Sequence, residues 1–140
     1  MEKQNFKKHA QYVTGFHVVT FAVILATLLI AIILLVHAGI SHETVFGFLV
    51  AVSLGLLFFY TRQFATGNQD RIIRAEENFR SYRLTGKTLD NRLTKGQVIA
   101  LRFADDSEYA ALTDKAISQN LGPKDIKQAI QQWRADHHRI

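Results

Sequence analysis

The chain has 140 residues, 48% of them hydrophobic, and its 17 Lys and Arg exceed 12 Asp and Glu for a net charge of +5. It contains no cysteine, which excludes disulfides, thiolate metal sites and thiol nucleophiles. Apolar and charged residues are segregated along the chain rather than mixed, so it reads as two materials joined end to end.

Residues 1–12 form a basic juxtamembrane segment. Phe6, Ala10 and Val13 recur at helical spacing with Lys3, Lys7 and Lys8 elsewhere, the pattern of a short helix on an anionic membrane surface. Lysines before an apolar run also begin a secretory signal, and Val36-His37-Ala38 resembles a small-residue cleavage site. The run is longer than the roughly 7–15 residues of a signal core, and a second span follows at once, so a retained span is expected.

Two runs, His17–Val36 and Val45–Tyr60, contain no Asp, Glu, Lys or Arg, and only the eight residues HAGISHET separate them. At 1.5 Å of rise per residue, roughly 20 such residues cross a hydrocarbon core of about 30 Å. The connector allows only an antiparallel return. The expectation is a two-span transmembrane hairpin over residues 13–66, with spans near 16–37 and 44–64. Gly39 suits the end of the first span, with Ile40 folding back on its last turn, and Ser41 suits the cap of the second. Tyr12, Phe16, Phe58, Phe59 and Tyr60 lie where aromatic rings favour the headgroup layer, and Arg62 can snorkel to phosphate.

Lys3, Lys7 and Lys8 precede the first span, Arg62, Arg71, Arg74, Arg80 and Arg83 follow the second, and the connector carries only Glu43. That bias predicts both termini on the cytoplasmic side of a bacterial inner (plasma) membrane. Within the second span, Gly47, Ala51 and Gly55 recur every four residues, a small-residue seam of the kind that lets membrane helices approach closely.

A break is expected at Gly67-Asn68, after which Gln69–Leu84 reads as an amphipathic helix with Ile72, Ala75, Phe79 and Tyr82 on one side. Asp70 with Arg74, and Glu76 with Arg80, have the spacing of helical ion pairs. Gly86 can end this helix, and Lys87–Arg92 reads as loop. Thr94 with Gln97 and Asp105 with Glu108 fit capping boxes for two short helices, the second stopping near Asn120–Gly122. Pro123 suits the first turn of a third, with Ile126, Ala129, Ile130 and Trp133 on one stripe. The fold class is therefore all-α: a transmembrane helical hairpin followed by a small helical cytoplasmic domain over residues 67–140.

The stretches NFRSYRLTGK (Asn78–Lys87), QVIALRFADD (Gln97–Asp106) and DIKQAIQQWRADHHR (Asp125–Arg139) resemble a family of small bacterial two-span membrane proteins of uncharacterised function. The resemblance runs over nearly the whole chain and implies two spans followed by a helical cytoplasmic tail. It brings no activity with it.

Candidate chemistry is sparse. His37, His42 and Glu43 crowd the connector, but a structural zinc site needs four ligands and this one offers three at most, so solvated side chains are expected. His137 and His138 beside Asp136 are better read as positive charge near a helix C-terminus than as a metal site. No nucleophile–base pair or phosphate loop is visible, and neither an enzyme nor a cofactor is expected. Only Thr20, Thr27 and Ser53 are polar at depth within the spans, away from their ends, too little for an ionisable relay.

From Arg62 to Arg102, nine Lys or Arg face four Asp or Glu. Beside a membrane such charge is drawn to anionic lipid. Nucleic acid would use the same residues, but lipid is always adjacent to a tethered segment and nucleic acid is not. The expected role is non-enzymatic: an accessory subunit or homo-oligomeric scaffold. Gly47, Ala51 and Gly55 would pack helices, while Arg62, Arg71, Arg74, Arg80 and Arg83 would meet lipid or a partner. The alternative is a small oligomeric channel or stress-responsive pore.

Overall fold

The computed structural model describes residues 5–6 and 12–136. The surface helix expected over residues 1–12 therefore falls mostly outside the described residues, as do His137 and His138. Among the described residues every named element is helical: α1 (Phe21–Ala38), α2 (His42–Thr85), α3 (Lys95–Leu101), α4 (Asp106–Ser118) and α5 (Pro123–Ala129), with a π-helical turn at Gly15–Thr20 leading directly into α1. Internal contacts separate one unit, Gln11–Thr66, from a second that includes Gly67–Ile140.

In the first unit the π-helical turn was not legible from the sequence. Its wider ring leaves carbonyls without the usual i−4 donor, and the Thr20 hydroxyl donates to the Gly15 carbonyl at 2.9 Å. Gly39 ends α1 with φ +78, a backbone conformation that a Cβ would strain. Ser41 and Thr44 then cap α2 reciprocally. The Ser41 N–H donates to Thr44 Oγ1 at 2.9 Å, and the Thr44 N–H donates to Ser41 Oγ at 3.3 Å. Ile40, expected to fold back on α1, is instead 88% exposed.

The expected break at Gly67-Asn68 does not occur, and α2 continues unbroken to Thr85. One glycine inside a helix costs about 1 kcal/mol relative to alanine, too little to interrupt a helix of this length. The end comes at Gly86, with φ +72 and its N–H donating to the Tyr82 carbonyl at 2.8 Å.

The second unit is built around Val98, Leu101, Phe103, Tyr109, Leu112, Ala116 and Ile126, all buried. Thr94 and Gln97 form the expected capping box on α3, and the Gln97 amide also donates to the Leu121 carbonyl at 2.9 Å, so one side chain both caps a helix and fixes a turn. Asp105 caps α4 by accepting from Ser107 N–H at 3.0 Å. Its expected partner Glu108 turns elsewhere, accepting from the N–H groups of Gln131 and Gln132 at 3.1 and 3.0 Å.

Those two bonds belong to a second departure. The apolar stripe through Trp133 does not stay helical, because α5 stops at Ala129 and Ile130 is extended. The chain then lies along residues 103–105: Asp105 N–H donates to the Gln132 carbonyl at 3.0 Å and Arg134 N–H to the Phe103 carbonyl at 2.8 Å. Trp133 reaches Phe103 at 5.2 Å between ring centroids, so its burial is gained through an antiparallel bridge with Ala104 rather than a helix face. The crossing of α3 with α5 is close: a Cβ on Gly96 would lie 2.9 Å from Pro123 Cγ.

Candidate functional site

Small residues set the hairpin's inner face. Ala31 of α1 and Ala51 of α2 are buried, the latter to 1% exposure. Gly55 lies toward α1, where an added Cβ would sit 4.0 Å from Ile24 Cγ2, whereas Gly47 faces open space. Of the expected seam, Ala51 and Gly55 thus turn inward and Gly47 does not. Near the other end of the hairpin, Phe16 stacks on Phe58 at 4.5 Å, with Phe21 at 6.2 Å from the same ring. Phe16 and Phe58, expected as separate interfacial anchors, are thus one stacked pair.

The arginines expected to meet lipid divide into two kinds. Arg71 and Arg74 are exposed and Arg62 is half-buried. Arg80 departs from that expectation: it is 4% exposed and its guanidinium is spent inside the unit. Nε donates to Asp106 Oδ1 at 2.7 Å, Nη2 to the Ala104 carbonyl at 2.6 Å, and Nη1 to Glu77 Oε2 at 3.2 Å. Its flat face lies 4.3 Å from the Tyr109 ring centroid. Arg83, more exposed, donates to the other oxygen of Asp106 at 3.0 Å. One α2 residue thereby ties the long helix to the start of α4 across 26 positions, a contact that no local spacing signals.

Burial governs the electrostatics here. Loss of solvent raises the Glu77 carboxyl above its ordinary range despite the adjacent Arg80. It also raises the Tyr109 phenol, helped by the Glu77 charge. The ion pairs read from the sequence are replaced: Arg80 uses Glu77 rather than Glu76, and Asp70 pairs with Lys95 at 2.8 Å.

Beside this cluster lies an open cleft of about 400 Å³ whose lining includes Glu76, Glu77, Arg80, Arg83, Arg102, Arg134 and Asp136. Within it Arg80 pairs with Glu77 at 3.2 Å and Arg102 approaches Asp136 at 3.3 Å.

The whole chain, residues 1–140, matches a family described as a family of unknown function, DUF6526. This chain belongs to DUF6526. No curated protein and no solved structure matches it. In this DUF6526 chain the connector side chains His37, His42 and Glu43 are exposed, and the Ser41 hydroxyl donates to Glu43 Oε2 at 2.6 Å. Among the described residues no three His, Asp or Glu side chains are grouped to hold a metal ion.

Proposed function

We propose that this DUF6526 chain is a non-enzymatic membrane protein, a two-span hairpin of a bacterial inner membrane with both termini cytoplasmic, acting as an accessory subunit or homo-oligomeric scaffold. One observation carries the reading. Two helices, Gly15–Ala38 and His42–Thr85, are long and apolar enough to cross a bilayer, and only 6% of the apolar window of each is buried by the protein itself. A core helix of a water-soluble protein hides its apolar surface inside. Here Val36 is 73%, Phe46 70% and Leu57 63% exposed, and lipid is the solvent that accepts such surface.

The scaffold role is supported by how the polar unit uses its ionisable groups. Glu77, Arg80, Asp106 and Tyr109 engage one another and backbone carbonyls, which serves to hold α2 against α4. Arg62, Arg71 and Arg74 remain available for anionic headgroups or an acidic partner.

The test is purification by gentle detergent extraction, mass determination, and reconstitution into liposomes. The expected outcome is a homo-oligomer or a complex with a co-purifying membrane protein, and liposomes that hold an ion gradient. A lone monomer would contradict the scaffold role, and reproducible single-channel currents would replace it with a pore.

A further inference from the structure

The polar half of α2 carries a second apolar face that is exposed among the described residues. The helix docks onto its own unit through Ile73, Glu77, Arg80 and Ser81, all buried. Further around the helix lie Ile72, Ala75, Phe79 and Tyr82, at successive spacings of three, four and three, with Phe79 also at the edge of the cleft beside Arg80; Ile72 is 57%, Phe79 71% and Tyr82 59% exposed. No charge interrupts this stripe. Such spacing is that of a coiled-coil seam, with Ile72 and Phe79 at a and with Ala75 and Tyr82 at d.

We propose that this stripe is where a second copy of the chain docks, its α2 parallel to the first. The inference rests on the membrane reading above, because two copies inserted with one topology must present α2 in the same direction. In that register Arg71 occupies g and Glu76 the following e, positions that face each other across a parallel seam. Arg71 of each copy then meets Glu76 of the other, giving two symmetric pairs of opposite sign. Both side chains are exposed and so available for this pairing. A flat lipid surface would need no such complementarity.

The absence of cysteine makes the test clean. Single-cysteine variants of the full chain are oxidised in native membranes, and alkaline extraction is run in parallel. Ile72→Cys and Phe79→Cys should each give disulfide-linked dimers, because only a parallel pair brings a residue against itself at both places. Arg74→Cys, exposed but off the seam, should not. In the Phe79→Cys chain, Arg71→Glu should lower the dimer yield about threefold, and adding Glu76→Arg should restore it. Dimers from Arg74→Cys in equal yield would mean random collision and overturn the proposal. So would missing dimers from a chain that resists alkaline extraction, a result that leaves the membrane reading standing. If Phe79→Cys in that case is shielded from a water-soluble maleimide only while lipid is present, the bilayer is the occupant instead. Release of the chain by alkali would overturn the membrane reading and, with it, the parallel tether.

Discussion

At the scale of single residues, Arg80 and Arg83 show how little residue type says without burial. Both are arginines on α2 and both reach Asp106, but the Arg80 side chain is 4% exposed and that of Arg83 59%. Removing a buried guanidinium leaves Glu77 and the Ala104 carbonyl without their donor. Arg80→Met should therefore cost about 3 kcal/mol of the second unit's stability. Arg83→Met removes an exposed pair and should stay within about 0.5 kcal/mol of the parent. Denaturant unfolding of the full chain in detergent, followed by amide exchange over residues 95–130, measures both, and equal losses would contradict the assignment. The sequence could not separate these two arginines, because what distinguishes them is burial against the Ala104 carbonyl and the Tyr109 ring, contacts far along the chain from Arg80. By contrast Thr94, Gln97 and Pro123 were readable in place, since caps and first-turn prolines act on their own neighbours.

At the scale of elements, local chemistry marked most helix ends and tertiary contact overruled it where the two competed. Gly39 and Gly86 ended helices as their freedom at positive φ predicts. Gly67 did not, for a lone glycine without a competing turn is only a weak spot in a long helix. Apolar periodicity predicted α5 through Trp133, but Glu108 holds the Gln131 and Gln132 amides and draws that segment alongside Phe103. Periodicity also predicted the stripe on α2 without saying which face the unit would cover, and the covered face is the polar one. Two glycines test the balance between propensity and packing. Gly67→Ala meets nothing within 4 Å and should stabilise α2 by about 0.5–1 kcal/mol. Gly96→Ala gains the same propensity but drives a Cβ to 2.9 Å from the rigid Pro123 ring. Overpacking costs about 1–3 kcal/mol, so a net loss of about 1 kcal/mol is expected. Paired thermal or denaturant midpoints check the opposite signs, and a gain at Gly96 would show that α3 and α5 do not cross this closely.

At the scale of the whole molecule, solvent decides the account. The two apolar helices expose Ile, Leu, Val and Phe that a water-soluble chain would have to hide, while residues 89–130 enclose a core of their own. Two long apolar helices joined by a short connector were legible from the sequence, because charge-free runs are marked by composition rather than by distant contacts. The association surface was less so, since the Gly47, Ala51 and Gly55 spacing marks small residues without saying what approaches them. Gly55 turns toward α1 and Gly47 faces open space. The most direct measurement is sidedness in sealed membrane vesicles, using single cysteines at Asn5, Ser41 and Ser118 and a reagent that cannot cross lipid. The proposed hairpin requires Ser41→Cys to react from one side and both Asn5→Cys and Ser118→Cys from the other. Labelling of Asn5→Cys and Ser118→Cys from opposite sides, or recovery of the chain in the aqueous fraction without lipid or detergent, would contradict it.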